Sequence, residues 1–168
     1  FLLIAALLPL WLVKIARREG DSAQAWTVGT LAVLLPLLGT LGVLALPDVP
    51  LALATVLCLD ASTRLMRGVD WTAFALLAAG LAIGGLTHYR FVAVIGIGFL
   101  VLVSLPEGRR ALRDARVWLA VCIGALAWLP LLLWNLRNAD AGLRFQLVER
   151  HPWAFHPDGA LFVAVQAL

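Results

Sequence analysis

Apolar stretches recur along this chain at a length that only one solvent explains. They cover residues 1–13, 25–46, 50–66, 71–87, 91–105, 117–134 and 159–168, the first and last being cut by the chain ends. A helix needs about 20 apolar residues to cross a hydrocarbon core of ~30 Å. Inside lipid the backbone polar groups must bond within their own segment, so a spanning stretch is a helix or part of a closed barrel. Runs this long lack the alternation of a barrel strand. The pattern predicts an all-α fold, a polytopic membrane helix bundle with about five complete and two truncated transmembrane helices. Hydrophobic residues make up 62% of the chain, against roughly 45–50% in soluble domains. The opening "FLLIAALLPLWLV" has neither Met nor a basic leader, so it does not read as a signal peptide. Residues 1–168 are expected to be part of one transmembrane domain, truncated at both ends. The stretch 50–66 is short and ends in the polar "DASTR". It requires tilt, snorkelling or burial among neighbours.

Charge gives the bundle a direction. Lys14, Arg17, Arg18, Arg64, Arg67, Arg109, Arg110, Arg113 and Arg116 fall on one set of connections, nine cations in all. The alternate set carries four: Arg90, Arg137, Arg144 and Arg150. Basic residues stay on the cytoplasmic side. Connections 14–24, 67–70 and 106–116 are therefore expected inside, and 47–49, 88–90 and 135–158 outside. "PEGRRALRDAR" reads as an arginine-rich anchor on anionic lipid. Scattered arginines without an aromatic-lined basic groove exclude a nucleic-acid binder. Cys58 and Cys122 both lie in apolar runs and read as small buried hydrophobes, not as a disulfide or a metal pair.

Small residues suggest how the helices meet. Gly80 and Gly84 lie one turn apart, and Gly96 and Gly98 follow. Each permits close helix approach. Pro36 and Pro130 predict kinks or helix ends. Trp26, Trp71, Trp118 and Trp134 fall near segment ends, where an interfacial aromatic belt belongs.

The outer connections carry the varied chemistry. In "LPDVP", Pro47 and Pro50 end one helix and start another. Asp48 sits between them, either as a helix cap favoured by the dipole or as part of a site. In "LTHYRF", His88, Tyr89 and Arg90 form either a plain polar turn or an anion site. A third stretch starts at Asn135 and Arg137. It continues through Asn138, Asp140, Arg144, Phe145, Gln146, Glu149, Arg150, His151, Trp153, Phe155 and His156. It reads either as an interfacial amphipathic segment or as a surface offering hydrogen bonds and stacking faces to a sugar. Polar variety gathered at one membrane face favours a site there.

These stretches, in this order, carry a resemblance. The chain resembles the C-type membrane glycosyltransferases that use polyprenyl-phosphate sugars. It is most similar to the bacterial branch related to protein O-mannosyltransferases and the lipid A aminoarabinose transferase. The likeness runs from "LVKIARREGDSAQAW" through "LPDVPLAL" and "LLAAGLAIGGLTHYRFVAV" to "LPLLLWNLRNADAGLRFQLVER". It implies an inverting transfer of a sugar from a polyprenyl-phosphate carrier to a protein, lipid or cell-envelope glycan. The partners implied are that donor and membrane lipids. The reaction would face the periplasm or exterior of a bacterial inner membrane.

The resemblance also places the general base in a first outer loop ahead of these residues, so none of them is assigned that role. Asp48 matches the family's second acidic position, shaping the site for sugar, acceptor or a divalent metal. No other cofactor is implied. His88 stands where many members have Lys, with Arg90 two positions on as a second cation. Tyr89, Asn135, Arg144 and Gln146 complete the substrate-binding set expected from the outer stretches. The rival reading from another class is a multi-spanning transporter or permease. Transporters hold substrate near the bilayer midplane. Here the acidic residue inside an apolar segment is Asp60, near the inner end.

Overall fold

The structure, a computed structural model, describes residues 2–35 and 47–149. All secondary structure among the described residues is helical. Two compact units divide at Pro130, one covering Phe1–Leu129 and the other Pro130–Leu168.

The first unit opens with α1 (Leu2–Glu19) and α2 (Ser22–Leu34). Helix α1 therefore runs past the end of the apolar stretch at Val13. Lys14, Arg17 and Arg18 extend α1 as its last turns, where cations suit the helix dipole. Gly20 and Asp21 break the helix. Asp21 N-caps α2, accepting the Gln24 amide at 2.7 Å. Gly29 of α2 lies against Val13 and the Pro9 carbonyl of α1, so the two helices run close together.

Next come α3 (Asp48–Arg67) and α4 (Trp71–Thr87). Only Gly68, Val69 and Asp70 join them, so they form a helical hairpin. Asp70 caps α4 through the Ala73 amide at 2.6 Å. Small residues set the spacing, as expected of helices packing in lipid. Ala54, Ala61 and Ala73 are fully buried. A Cβ built on Gly80 would meet the Ala54 carbonyl at 3.0 Å and the Cys58 sulfur closer still. A Cβ on Gly84 would strike the ring of Phe91, itself fully buried. Hydroxyls of Thr55, Ser62 and Thr63 donate to carbonyls of the preceding turn. That is how the short, partly polar third stretch satisfies its polar groups among apolar neighbours.

α3 is buried on two sides. One side joins Leu77, Ala78 and Leu81 of α4 and Phe91 in a first core. The other places Val56 against Leu8 and Ile15 of α1. α5 (Phe91–Ser104) and the short α6 (Pro106–Ala111) follow. The Arg109 guanidinium caps α5 by donating to the Val103 and Ser104 carbonyls at 2.9 and 3.1 Å. At the turn into α7 (Ala115–Arg137), the guanidinium and amide of Arg116 hydrogen-bond Asp114 and hold its carboxyl down at about 2.

α3 and α7 are long and apolar enough to cross a membrane, while α4 and α5 are shorter apolar helices. α5 buries only Phe91 and Leu102. It exposes Val92, Ile97, Phe99 and Leu100, as a helix facing lipid does. Trp26, Trp71, Trp118 and Trp134 are each at least half exposed. Trp26 stacks under Arg17 and Trp71 under Arg116, while Trp118 donates to the Leu112 carbonyl. The aromatic belt is thus tied to the basic ends of the helices.

Two expectations change. Cys122 is exposed on α7, because its apolar run faces outward, while Cys58 is half-buried against Gly80. Nothing described lies within 4 Å of a Cβ built on Gly96 or Gly98, so these two glycines make no close contact with the described helices. Of the two readings of Pro130, a helix end is excluded, because it lies within α7, as Pro9 lies within α1. Pro36 and the apolar stretches 36–46 and 159–168 lie outside the described residues.

The packing predicts a contrast between glycines. Gly80→Val should destabilise the protein by about 1–3 kcal/mol, because backbone at Ala54 blocks the added methyls. Gly96→Val should change stability by less than about 0.5 kcal/mol. Unfolding of the two variants in detergent micelles checks this.

Candidate functional site

The hairpin decides which of the sequence-derived residues share an end. Gly80 sits level with Ala54 and Cys58. Counting back along α3 and forward along α4 brings Asp48 level with the end of α4. The turn His88–Tyr89–Arg90 follows at once. Asp48 and the His88–Arg90 turn therefore occupy one end of the first unit. Lys14, Arg17, Arg18, Arg64, Arg67 and Arg116 lie toward the other, as the ion pairs and ring contacts there require.

Asp48 is not the cap that the proline pair suggests. Pro47 takes the N-cap position in helical φ/ψ, and Asp48 is the first residue of α3. No side-chain cap forms, because Asp48 stands at the first helical position and not before it, the place from which a side chain accepts the amides two and three residues on. Asp48 still benefits from the dipole at a helix start. It is half-buried, and its carboxylate is engaged by no other described residue.

His88 ends α4 in extended backbone. Its Nδ1 accepts the Arg90 amide at 3.0 Å, which requires that nitrogen to be unprotonated and fixes the ring over the turn. Arg90 is exposed and begins α5, while Tyr89 is half-buried. A carboxylate, an imidazole and a guanidinium are thus carried on one end of a rigid hairpin.

The remaining residues belong to the second unit. α7 does not run out at Trp134 but continues to Arg137, so Asn135 and Arg137 are helical. Asn135 is buried and donates to the Leu131 carbonyl at 2.9 Å, one turn back. The helix stops where Ala139 and Asp140 adopt left-handed backbone, with the Asp140 amide bonded to the Asn135 carbonyl at 2.8 Å. A short helix, α8 (Ala141–Arg144), leads into a π-helical turn, Phe145–Glu149, that contains Gln146. Arg144 is exposed and pairs with Glu149 at 3.1 Å, so part of its donor capacity is used locally. Arg150, His151, Trp153, Phe155 and His156 fall outside the described residues. A divalent metal at Asp48 would need further ligands. Among the described residues no three His, Cys, Asp or Glu side chains are placed to hold one.

Sequence reasoning missed a second cluster, at the opposite end of α3. Asp60 is 2% exposed and takes three donors. The Trp11 indole donates at 2.7 Å, Arg64 Nε at 2.9 Å, and Arg18 completes the set. Arg67 adds a link to Glu19 at 3.2 Å and donates to the Arg18 carbonyl. The signal was present in the chain: a lone carboxylate in an apolar run, with Arg64 one helical turn on. Its partners on α1 are 42 and 49 residues away and could not be read.

Residues 1–134 match a protein family described as dolichyl-phosphate-mannose-protein mannosyltransferase. The chain belongs to that family. It is also 30% identical over 134 residues to the lipid A galacturonosyltransferase RgtD of Rhizobium johnstonii. That match covers 79% of this chain and 28% of the relative, so the chain spans under a third of that protein's length. No solved structure matches it. Family membership and the two long apolar helices make this a membrane protein. The matched region takes in both Asp48 and the His88–Arg90 turn, as well as Asp60 and its partners.

The buried cluster leads to a stability test. Asp60→Leu leaves two guanidinium groups without their shared carboxylate at a helix contact, and should cost about 3–5 kcal/mol. Denaturant unfolding of full-length protein in micelles reads the loss, which Asp70→Asn should not share.

Proposed function

We propose that the full-length protein is a membrane glycosyltransferase that moves a sugar from a polyprenyl-phosphate carrier to an envelope acceptor. The acceptor class is a protein, a lipid or a cell-envelope glycan, and the transfer inverts the anomeric centre. The reaction takes place at the face that carries Asp48, which is the periplasmic or outer face of a bacterial inner membrane. Family membership and the galacturonosyltransferase relative support this reading. The observation that carries it is Asp48, a half-buried carboxylate uncommitted among the described residues, at the same hairpin end as His88 and Arg90.

The chemistry asks for three things at one interface. The donor's phosphate becomes the leaving group, so cations must meet its growing charge. Arg90 supplies a permanent one. His88, whose Nδ1 is occupied by the Arg90 amide, offers an Nε2–H donor toward the same phosphate. Asp48 orients a hydroxyl of sugar or acceptor by accepting its hydrogen bond. Tyr89, Asn135, Arg144 and Gln146 are assigned to substrate binding, and no residue here is assigned the general base. The carrier's lipid tail requires a path from the bilayer, which the apolar outer surface of α5, beginning beside Arg90, is suited to provide.

Asp48→Asn tests the assignment. With no cap to lose, stability should change by less than about 0.5 kcal/mol, the scale of a surface dipole interaction. Sugar transfer by the full-length enzyme should fall about 10- to 100-fold, as for a lost charged contact to substrate. Turnover near wild type would remove Asp48 from the site.

Orientation has its own test. Single cysteines at Arg110 and Ala141, both exposed, are placed in a full-length background lacking Cys58 and Cys122. An impermeant thiol reagent applied to intact cells should label position 141 and spare 110. The reverse pattern would put Asp48 on the cytoplasmic side.

A further inference from the structure

The end of the hairpin opposite Asp48 holds a cavity of ≈ 380 Å³, lined by Arg18, Arg64, Arg67, Gly68, Val69 and Asp70. Half of the lining residues are arginines from two helices. Each guanidinium offers five N–H donors in a planar fork, and the acceptors at hand fall short of that supply. Asp60 lies buried beneath, saturated by Trp11, Arg18 and Arg64. Asp70 stands 3.9 Å from Arg64 Nη1, beyond hydrogen-bond range, and is about half exposed. Glu19 takes one Arg67 nitrogen. Arg18 Nε and Nη1 are buried with no hydrogen-bond partner among the described residues. They lie beneath the surface, so the donors open to the cavity are chiefly those of the half-exposed Arg67, with part of Arg64.

The cluster is rigid for a physical reason. Asp60 draws Arg18 of α1 and Arg64 of α3 to one carboxylate oxygen, and the Arg18 carbonyl receives Arg67. Two helices are thereby locked with their guanidinium groups side by side. Asp60, Asp70 and Glu19 balance the three positive charges, but they leave guanidinium N–H groups over for a further acceptor. Phosphate matches the fork geometry bidentately and can engage several guanidinium groups at once. The hairpin loop at Gly68 leaves the cavity open on the side away from the helices: nothing described lies within 4 Å of a Cβ built there.

We propose that this cavity binds a phosphate group, carried by an anionic phospholipid headgroup or present as free phosphate at that face. The site lies roughly 30 Å from Asp48, the length of a 20-residue helix. It stands apart from the sugar-transfer reading and does not depend on it.

Full-length protein in detergent is titrated with inorganic phosphate, with phosphatidylglycerol, and with diacylglycerol, which shares the lipid body but lacks the phosphate. Thermal shift reads all three, and native mass spectrometry reads the two lipids. Saturable binding of inorganic phosphate identifies the free ion. Binding of phosphatidylglycerol over diacylglycerol, without phosphate binding, identifies the headgroup. In either case Arg67→Gln should weaken affinity about 10-fold, as for a charge-assisted fork. Arg67→Lys, which keeps the charge and loses the fork, should fall between. Asp70→Asn preserves the α4 cap while removing a negative charge from the lining, and should tighten binding about 3-fold or more. A role in stability alone would not produce that gain. Arg110→Gln, an exposed cation elsewhere on this face, should leave affinity within about 2-fold. The proposal fails if neither phosphate nor phosphatidylglycerol binds. It fails equally if Arg67→Gln has no effect, or if Arg110→Gln weakens binding as much as Arg67→Gln.

Discussion

A single buried carboxylate ties the first unit together. Asp60 sits at 2% exposure on an apolar helix, where a lone charge would be costly. Trp11 and Arg18 reach it from α1 and Arg64 from its own helix. Lipid tails offer no hydrophobic drive for one apolar helix to prefer another. A charge that must be paired supplies the missing specificity, because the register of α1 against α3 decides whether Trp11 and Arg18 reach it. The α3–α4 hairpin then follows from small residues: with α1 holding one side of α3, Gly80 and Ala54 close the other. The position of Asp48 beside the His88–Arg90 turn is a consequence of that hairpin register.

The two ends of α3 divide the labour by polarity. At one end are a carboxylate without a described partner and a short turn with two further polar groups, a sparse arrangement suited to a visiting substrate. At the other, arginines and carboxylates are densely paired and anchored by half-exposed tryptophans. A helix that is clamped at one end and chemically open at the other can hold a site rigid without filling it. This is the arrangement that the proposed transfer from a membrane-borne donor asks for. It differs from a transporter, whose charged groups sit near the midplane. Asp60, the acidic residue within an apolar run, lies toward the clamped end and is saturated by its neighbours.

Several elements of this protein were legible in the residues. Helical class followed from run length, since a single long apolar run satisfies its own backbone in lipid only as a helix. The grouping of basic residues at one end followed from which connections carried them. Gly80 and Gly84 were readable as packing positions because two small residues one turn apart leave a groove. Gly96 and Gly98 carry a similar signal yet meet none of the described helices, on a helix that turns most of its surface outward. Cys122 misled because an apolar run does not say whether it faces protein or lipid. At Asp48 the two prolines marked the boundary correctly, but they could not say which residue begins the helix. That depends on backbone dihedrals at Pro47.

What the sequence by itself determined is periodicity, length and charge: helices, their order, and which connections carry the cations. These are local properties, set by residues within a turn or a span of one another. Tertiary structure alone decided which side chains meet. Asp60 finds Arg18 and Trp11 across more than forty residues. Asp48 comes level with the His88–Arg90 turn only because α3 and α4 pack at one register. The apolar runs are nearly interchangeable in composition, so no count of residues predicts which faces join. The decision falls to a few non-local contacts, a buried charge and a few small side chains, whose energies exist only once the helices are together.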